Sequence, residues 1–483
     1  MKKILVLGAG ISGHTAAMFL KRYLGNKATV TVISPAANYN WIPSNIWVGV
    51  GKMAEEDVKV PLAPIYQKMD IHFIQGKAVE LWPEGNESNS KPFVKYLRTD
   101  INSEEKIAED YDYLIHATGP KLNFEATPGL GPHGGHSVSV CTPDHAIEAS
   151  RQLHAAIQEM KNGKRKTLLV GTGHGTCTCE GAAFEYVFNV DFELREHGVR
   201  HMADLYYITN EAALGDFGVN GMHLKVGGYV TSSKIFAESL YLEREVKYIL
   251  GAHVSKVEKD HIEYETLDGN QHKLNFDFAM LLPPFKGNQL NSFAKNGEEI
   301  TSKLFSPAGF MKVDADYEPK SVDDWSHEDW PKHYTCPLYK NIFAIGIAFA
   351  PPHQISVPRK SPNGTLITPA PPRTGMPSAT MGRVVAKNIA NQINGISEQK
   401  TCSMAELGAA CVASAGSSFF KGTAATIVMS PIVPNFSHFP RTGRDDNETY
   451  GEIGLAGHWL KRILHTVFIY KAKANPFWWI IPE

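Results

Sequence analysis

Cysteine is the residue type whose number and placement in this chain suggest redox chemistry. Six cysteines in 483 residues are too sparse for a disulfide scaffold, so each is core filler, a metal ligand or a redox group. Cys177 and Cys179 follow a predicted strand, Thr167–Val170, at the start of a predicted helix. The positive end of a helix lowers the pKa of a thiol and favours the thiolate. A thiol site is therefore predicted, with zinc binding and inert core thiols as the alternatives.

A strand–turn–helix–strand unit opens the chain and predicts a dinucleotide site. The apolar strand Ile4–Leu7 leads into a G-x-G-x-x-G turn, an amphipathic helix covers His14–Leu24, and a second strand covers Val30–Ile33. The three glycines allow the tight turn, the approach of a pyrophosphate and close helix–strand packing. Serine and proline replace the acidic residue expected after the second strand, so this unit alone does not settle which nucleotide binds. The residues predicted to bind the cofactor here are Gly8, Gly10, Ile11, Ser12, Gly13, Ser34 and Pro35.

A second glycine turn follows Thr167–Val170 but departs from the dinucleotide motif. It reads Gly171-Thr172-Gly173-His174-Gly175-Thr176, so a threonine stands where the third glycine would be. Because Cys177 and Cys179 come directly after this turn, the pattern indicates a pyridine-nucleotide site that has been replaced by a thiol site.

Composition and charge exclude several classes of protein. The 48 Lys+Arg against 50 Asp+Glu give a net charge of −2, which lacks the basic footprint of a nucleic-acid binder. We therefore predict no nucleic-acid partner, and we predict no metal because no second pair of metal ligands lies near Cys177 and Cys179 at finger-like spacing. The length predicts about three domains. No apolar run approaches the roughly 18 residues of a membrane-spanning helix.

Two further strands end in signals that resemble those of flavin-dependent disulfide reductases with two dinucleotide domains. The strand that begins at Tyr111 ends in Ala117-Thr118-Gly119-Pro120, and the strand that begins at Asn341 ends in Gly346. In that superfamily the first signal returns the chain past flavin adenine dinucleotide (FAD), and the second approaches the flavin ring. Most members have an aspartate after the second glycine. This chain has Ile347 there, so the ribityl contact must come from elsewhere.

Over most of its length the chain resembles the sulfide:quinone oxidoreductase family. The family has three characteristic cysteines, and this sequence has Cys141, Cys179 and Cys411 at those positions. A set of three is far more specific than a single glycine motif. The segments that carry the resemblance are Gly8–Gly13, Trp41–Gly51, Ile71–Ile74, Ala117–Leu122, Val140–Ala146, Cys179–Tyr186, Pro284–Gly287 and Gly408–Gly416.

The resemblance implies a mechanism in which sulfur chemistry feeds electrons to FAD. Cys179 and Cys411 would be bridged, directly or through sulfur, on the flavin face opposite the quinone, and hydrosulfide would open the bridge by thiol–disulfide exchange. In the family the cysteine matching Cys411 supplies the thiolate that attacks the flavin, and the cysteine matching Cys179 carries the persulfide. The cysteine matching Cys141 is covalently linked to the flavin in some members, and the sequence leaves that linkage open.

The same resemblance assigns roles to several other residues. His145 matches a histidine near the sulfide site and is predicted to manage protons, with a structural histidine as the alternative. Glu185 is predicted to act as a base, or else to make an ordinary helix surface contact. Lys461 matches a lysine near the pyrimidine edge of the flavin. To the FAD site we further assign Pro43, Ser44, Asn45, Ala78, Ala117, Thr118, Gly119, Pro120, Gly346, Ile347 and Gly375.

The C-terminal segment predicts contact with a membrane surface. From His458 onward, apolar positions recur at helical spacing, basic residues interleave, and Trp and Phe are frequent. This pattern is typical of an amphipathic helix with an aromatic lip that rests on one leaflet, although a helix docked on the core is the alternative. Because quinones dissolve in lipid, Trp41, Phe468 and Trp478 are predicted to form the quinone pocket. The proline-rich segment Pro351–Pro372 is expected to lie over the quinone side.

The expected fold is α/β, with two Rossmann-like, doubly wound FAD/NAD(P)-binding domains and a membrane-associating C-terminal segment. We predict the FAD-binding domain at residues 1–155 and 289–390, the second Rossmann-like domain at 156–288 and the C-terminal domain at 391–483. The expected function is oxidation of hydrogen sulfide with transfer of two electrons through FAD to ubiquinone or menaquinone. We also expect a homo-oligomer that lies on the membrane surface as a peripheral (monotopic) protein.

Three alternatives accompany this interpretation. A type II NADH:quinone oxidoreductase shares the fold, but it would need an intact second glycine motif and has no use for Cys179 or Cys411. A flavocytochrome c sulfide dehydrogenase is exported, and we expect no cleavable signal because glycines interrupt the apolar run after Lys2 and Lys3. A non-catalytic flavoprotein that only binds sulfur is the alternative outside the enzymes.

Overall fold

A computed structural model describes residues 1–101, 103–178, 180–416 and 419–483 of the chain. Cys179 thus lies outside the described residues. Helices and strands alternate through most of the described chain, as expected for an α/β protein. The α-helices of the described residues are α1 Ile11–Leu24, α2 Asn45–Gly49, α3 Glu55–Val58, α4 Leu62–Lys68, α5 Pro143–Lys161, α6 Glu180–Glu196, α7 Ser233–Glu243, α8 Thr301–Leu304, α9 Gly375–Ile393 and α10 Leu455–Ala472.

The first sheet is built around the N-terminal strand, whose apolar residues Ile4–Leu7 are buried. Five strands run parallel, in the order Ile342–Ala344, Tyr113–His116, Lys2–Leu7, Ala28–Ser34 and His72–Trp82. Two antiparallel strands, Phe93–Arg98 and Lys106–Asp110, extend it, and Asn291–Ser292 pairs with His72–Trp82. Residues 342–344 thus complete the sheet that the N-terminal residues begin.

A second, smaller parallel sheet follows in the chain. Its strands lie in the order Lys247–Ile249, Ala203–Ile208, Lys166–Thr172 and Phe278–Leu282. With helices α6 and α7 it forms the second Rossmann-like unit. The two units confirm the predicted α/β fold class. The smaller sheets are the three-stranded Ala252–Val257, His261–Thr266 and Gln271–Asn275 and the two-stranded pairs Pro120–Leu122 with Phe285–Gly287 and Asn38–Asn40 with Lys59–Pro61.

The C-terminal part adds a five-stranded sheet and helix α10. The strand order is Tyr229–Ser232, His223–Val226, Tyr450–Gly454, Gly422–Met429 and Ala409–Gly416. Helix α10 packs on the last two of these strands, and helix α6 packs on Ala409–Gly416. This sheet therefore connects the second Rossmann-like unit to the C-terminal helix.

The end of the chain returns to helix α1. The buried imidazole of His14 lies 2.9 Å from the carbonyl oxygen of Ala472, and Lys68 Nζ donates to the carbonyl oxygen of Ala474 at 2.8 Å. Trp478 packs edge-on against Phe19. None of the described helices combines the length and the apolar character that a membrane span requires.

Candidate functional site

A central cavity of about 850 Å³ lies where the first glycine turn, the two cysteines Cys141 and Cys411 and helix α10 meet. Its volume falls in the range of small-molecule and cofactor sites, about 300–1,000 Å³. Of the residues assigned above to FAD, sulfide or quinone, the wall contains Gly8, Gly10, Ile11, Ser12, Ser34, Pro35, Trp41, Pro43, Ala78, Ala117, Thr118, Gly119, Pro120, Cys141, Glu185, Ile347, Gly375, Cys411, Lys461 and Phe468.

The nucleotide end of the cavity is shaped by the glycines of the first turn. Gly8 has a positive φ of 96°, and a Cβ there would lie 2.3 Å from the carbonyl oxygen of Ala117. A Cβ on Gly13 would lie 2.1 Å from the oxygen of Gly8, so Gly13 packs the helix against the strand and does not itself line the cavity. By contrast, a Cβ on Gly10 would meet no atom within 4 Å.

This open space fits a phosphate group. Gly10 is the N-cap of helix α1 and its backbone has no side-chain cap, so the first N–H groups of a 14-residue helix border the cavity. Free N–H groups and the helix dipole make such an end an anion site. The residues present therefore fit the pyrophosphate of FAD, although the second strand ends in Ser34 rather than in an acidic residue.

The second glycine turn is covered by another segment of the same chain. The backbone N–H of Thr368 donates to the oxygen of Gly175 at 2.8 Å, and the N–H of Ala370 donates to the oxygen of Cys177 at 3.0 Å. A Cβ on Gly175 would lie 2.5 Å from the oxygen of Leu366. The proline-rich segment 351–372 therefore packs on this turn, where a pyridine nucleotide would bind. The expectation that it lies over the quinone side stays a prediction.

Cys411 lies at the contact between the C-terminal sheet and helix α6. A Cβ on Gly181 would be 3.0 Å from Cys411 Sγ, so a larger residue there would crowd the sulfur against the first turn of α6. Cys179 precedes that turn in the sequence but lies outside the described residues. Cys141 lines the same cavity, and no disulfide joins two of the described cysteines.

A buried ion pair stands beside Cys411. Lys461 Nζ lies 2.9 Å from Glu185 Oε2 and 3.3 Å from the carbonyl oxygen of Val412, while the N–H of Ser414 donates to Glu185 Oε1 at 3.2 Å. Burial raises the pKa of the Cys411 thiol to about 12, Glu185 adds to this rise, and Lys461 opposes it. The ammonium group of Lys461 is thus the charge that stabilises a thiolate on Cys411.

The described thiols other than Cys411 are also shifted by burial. Burial raises the pKa of Cys141 to about 11. Cys177 is fully buried and precedes helix α6, and burial followed by the nearby Glu180 raises its pKa well above the ordinary value. The expected lowering of the pKa by the helix end was therefore wrong for Cys177, because desolvation of a thiolate outweighs the dipole. Cys177 is a core thiol that donates to the oxygen of Leu282.

Several assigned residues lie off the cavity wall. His145 is buried behind it, with Nδ1 3.3 Å from Ser139 Oγ, and Ser139 Oγ in turn accepts from the N–H of Cys141 at 3.1 Å. Burial lowers the pKa of His145, and Ser139 Oγ links its ring to the backbone of Cys141. Gly346 packs on Ser12, and a Cβ there would lie 2.5 Å from Ser12 Oγ.

Ser44 and Asn45 are also held away from the cavity, by hydrogen bonds to other side chains. Ser44 Oγ lies 2.9 Å from His465 Nδ1, and the amide of Asn45 pairs with the amide of Asn40. Both are fully buried structural residues. Neither residue lines the cavity, and their assignment to FAD stays a prediction.

The end of the cavity at helix α10 is aromatic. The rings of Trp41 and Phe468 stack at 4.8 Å with an interplanar angle of 17°, and Leu464 and His465 complete this wall. Trp478 does not join them, because it is buried against Phe19 with 5% of its surface exposed. Trp478 therefore does not line the cavity, its indole packs the C-terminus on helix α1, and its assignment to the quinone site stays a prediction.

Sequence reasoning did not assign four charged residues of the described wall, the exposed Lys77 and Lys121 and the less exposed Glu180 and Arg373. Glu180 is the first residue of α6 and is buried. Arg373 lies just before α9, with Nη1 2.7 Å from the oxygen of Ile347 and its guanidinium over the ring of Phe310. Glu180 directly follows Cys179 and Arg373 lies two residues before Gly375, so proximity to assigned residues was the available signal.

The two Rossmann-like units, the first glycine turn and the thiol-lined cavity define a flavin-type disulfide oxidoreductase. A model of the pyridine nucleotide-disulphide oxidoreductase family matches residues 2–319, so the chain belongs to that family. The sulfide-quinone reductase of Aquifex aeolicus is 29% identical over 472 residues, which cover 98% of this chain and 91% of that protein. The mitochondrial sulfide:quinone oxidoreductase of Mus musculus is 27% identical over 71% of this chain and 65% of its own length.

Solved structures show the same relationship. The crystal structure of the Aquifex aeolicus sulfide:quinone oxidoreductase has a TM-score of 0.76 and 28% identity, and the match covers 98% of this chain and 92% of that chain. The NDH2 of Plasmodium falciparum in complex with NADH has a TM-score of 0.62 at 13% identity, which shows a shared fold alone.

Proposed function

We propose that this chain oxidises hydrogen sulfide and passes two electrons through FAD to a membrane quinone. The observation that carries the proposal is the continuity of one cavity, which joins the first glycine turn, Cys411 with its ion pair, and the Trp41–Phe468 stack. The similarity to sulfide:quinone oxidoreductases over nearly the whole chain supports the same function. The filled second glycine turn argues against NADH as the electron donor.

The cofactor is FAD, and the residues present would hold it along the cavity. The helix end at Gly10 would bind the pyrophosphate, while Pro43, Ile347 and Gly375 would flank the flavin. When bound, FAD accepts two electrons from the sulfur site and passes them on to a quinone.

The sulfur chemistry is proposed for Cys179 and Cys411. Hydrosulfide attacks one sulfur of the bridge between them, the S–S bond breaks, and a persulfide forms on one cysteine while the other leaves as a thiolate. Lys461 stabilises that negative charge on Cys411, and Glu185 fixes Lys461 in place through the 2.9 Å ion pair. Cys141, His145 and Glu185 remain candidates for supporting roles. Of these, Cys141 and Glu185 contact the cavity, and His145 does not.

Quinone is proposed to enter beside the Trp41–Phe468 stack, from a membrane on which helix α10 rests. The outer side of α10 carries Leu460, Ile463 and Tyr470, and the isoleucine is 58% exposed. Phe420, next to the Phe419–Trp459 stack, is 83% exposed. Exposed aromatic and aliphatic side chains grouped at one edge are typical of a surface that inserts into one leaflet. We therefore propose a peripheral, monotopic membrane location.

Self-association is proposed through a different surface. Tyr229, Val230, Ile235 and Leu242 are exposed apolar residues on the strand Tyr229–Ser232 and helix α7. Burying them against a second copy would remove apolar surface from water. Sedimentation of the detergent-solubilised protein tests this, and a monomer at micromolar concentration would argue against it.

Steady-state turnover tests the proposed function. The purified protein with FAD should reduce decylubiquinone when sulfide is added, and NADH should not replace sulfide. A Cys411→Ser variant should bind FAD and lack this activity. NADH-driven turnover without sulfide-driven turnover would refute the proposal, and a protein that binds FAD but accepts electrons from neither would favour the sulfur-binding alternative.

A further inference from the structure

Glu180 is a carboxyl group on the cavity wall that the sulfur chemistry described above does not use. The described part of the wall contains two carboxylates, Glu180 and Glu185. Both oxygens of Glu185 have partners, Lys461 and the N–H of Ser414. Glu180 is 1% exposed, and its Oε1 has no hydrogen-bond partner among the described residues. A buried polar atom without a partner is costly, so this oxygen needs an explanation.

Two further acidic residues, one buried and one half-buried, interact with Glu180. Glu211 is buried, and its oxygens accept from Thr209 Oγ1 at 3.1 Å and from the N–H of Phe217 at 2.8 Å. Asp216 is only half-buried, and its Oδ1 accepts from the N–H of Gly218 at 3.0 Å and from the hydroxyl of Ser356. Asp216 also accepts from the N–H of Asn220, which is exposed.

The N–H of Phe217, the residue after Asp216, donates to Glu211, and Phe217 lines the same cavity as Glu180, so the three carboxyl groups affect one another's pKa. Burial raises the pKa of Glu180 well above its ordinary value, and Glu211 and Asp216 raise it further. Burial and Asp216 raise the pKa of Glu211 to about 8. Burial also raises the pKa of Asp216, while Ser356, nearby backbone N–H groups and Arg359 at the outer end lower it. The remaining titratable groups that interact with Glu180 are Tyr207 and Cys177.

The reaction supplies a proton that must leave this buried site. Hydrosulfide brings one proton, which stays on the terminal sulfur when the bridge opens and a persulfide and a thiolate form. The terminal sulfur becomes a nucleophile again only when this S–H proton leaves. Of the two carboxyl groups on the described wall, Glu180 directly follows Cys179 in the sequence and has the unpartnered oxygen, so Glu180 is the candidate to receive this proton.

We propose that Glu180 accepts the proton released at the sulfur site and that Glu211 and Asp216 carry it to the surface. This inference rests on the proposed function. A neutral carboxylic acid relays a proton by accepting it on one oxygen while releasing one from the other, so a buried carboxyl on the cavity wall with an unpartnered Oε1 suits the entry point. The electron pair takes the separate route to FAD. One proton leaves to solvent from Asp216 and FAD takes up one proton from solvent on reduction, so protons and charge balance.

Rapid-mixing kinetics of the two half-reactions test the relay. Reduction of the bound flavin by sulfide is followed anaerobically in wild-type, Glu180→Gln and Asp216→Asn protein, with Glu196→Gln, an exposed glutamate at the end of the same helix, as the matched control. We expect Glu180→Gln to lower this rate at least tenfold at pH 7.5, in line with the usual contribution of a proton-transfer group. Asp216→Asn should lower it less, and Glu196→Gln should leave it unchanged. Reoxidation of dithionite-reduced protein by decylubiquinone should be unaffected in all variants.

Rescue by a small base separates a proton relay from a structural effect. Added imidazole should restore part of the Glu180→Gln rate in proportion to its concentration and should not change the wild-type rate. A wild-type rate in Glu180→Gln would overturn the inference, and so would a loss without rescue that affects both half-reactions equally. If sulfide does not reduce the wild-type flavin, the proposed function itself fails, and that result is distinct from a defect confined to the variants.

Discussion

Replacing Lys461 removes the ammonium group that pairs with Glu185. The Lys461→Met variant leaves Glu185 buried, with the N–H of Ser414 as its remaining hydrogen-bond donor. At a separation of 2.9 Å the attraction between the two charges is about 6 kcal/mol at an effective dielectric constant of about 20. Desolvation offsets part of this, so breaking the buried pair should cost about 3–5 kcal/mol of unfolding free energy at pH 8.

The loss of unfolding free energy in Lys461→Met should be larger at high pH than at low pH. Burial already raises the pKa of Glu185 in the folded protein, and Lys461 opposes that rise, so the variant raises it further. A carboxyl whose folded pKa lies above its unfolded pKa stabilises the fold at low pH and destabilises it as pH rises. The deficit of the variant should therefore shrink as pH falls toward the unfolded value of glutamate, about 4.3.

Urea unfolding followed by flavin fluorescence, at pH 5 and pH 8 and at two FAD concentrations, measures this deficit. Lys303→Met, which breaks an exposed pair with Glu298, should change the stability little. The double variant Lys461→Met/Glu185→Leu should recover most of the loss, because it removes the unpaired charge. A deficit below about 1 kcal/mol at pH 8, or an equal deficit at both pH values, would refute the reasoning.

Three further outcomes follow from the site. Cys411→Ser should abolish reduction of the flavin by sulfide while leaving the FAD content unchanged, and a rate near wild type in rapid mixing would contradict its role. Phe468→Ala removes the ring stacked on Trp41 and should raise the KM for decylubiquinone about tenfold without slowing the sulfide half-reaction. If Phe468→Ala instead lengthened the half-time of flavin reduction by sulfide, Phe468 would act at the sulfide end of the cavity and the prediction would be wrong. Ile463→Glu should weaken binding of the protein to anionic liposomes in a flotation assay. The control Val322→Glu, at an exposed position distant in sequence from helix α10, should bind as the wild type does. Equal flotation of the two variants would contradict membrane contact through α10.

Local sequence signals predicted the α/β fold, and most residues predicted for the nucleotide end line the cavity. Gly13 packs on Gly8 within the motif, whereas Gly8 packs on Ala117 of a neighbouring strand. Cys411 and Lys461 lie far along the chain and were found through a family resemblance, while Phe468 was found through the local aromatic pattern of the C-terminal segment.

Two assigned residues lie off the cavity wall for a shared physical reason. Trp478 was assigned from aromatic composition and Ser44 from a segment resemblance, and neither signal shows which side of a short helix or turn faces the cavity. Glu180 was missed for a related reason. Its importance arises from burial and from its neighbours Glu211 and Asp216, which lie more than thirty residues away in sequence and approach only in the folded chain.

Anaerobic mixing of sulfide with the FAD-loaded protein tests the central claim most directly. The account predicts that one equivalent of sulfide bleaches the flavin absorbance by two electrons, that a quinone analogue restores it, and that NADH has no effect. Bleaching by NADH in the absence of any response to sulfide would contradict the account.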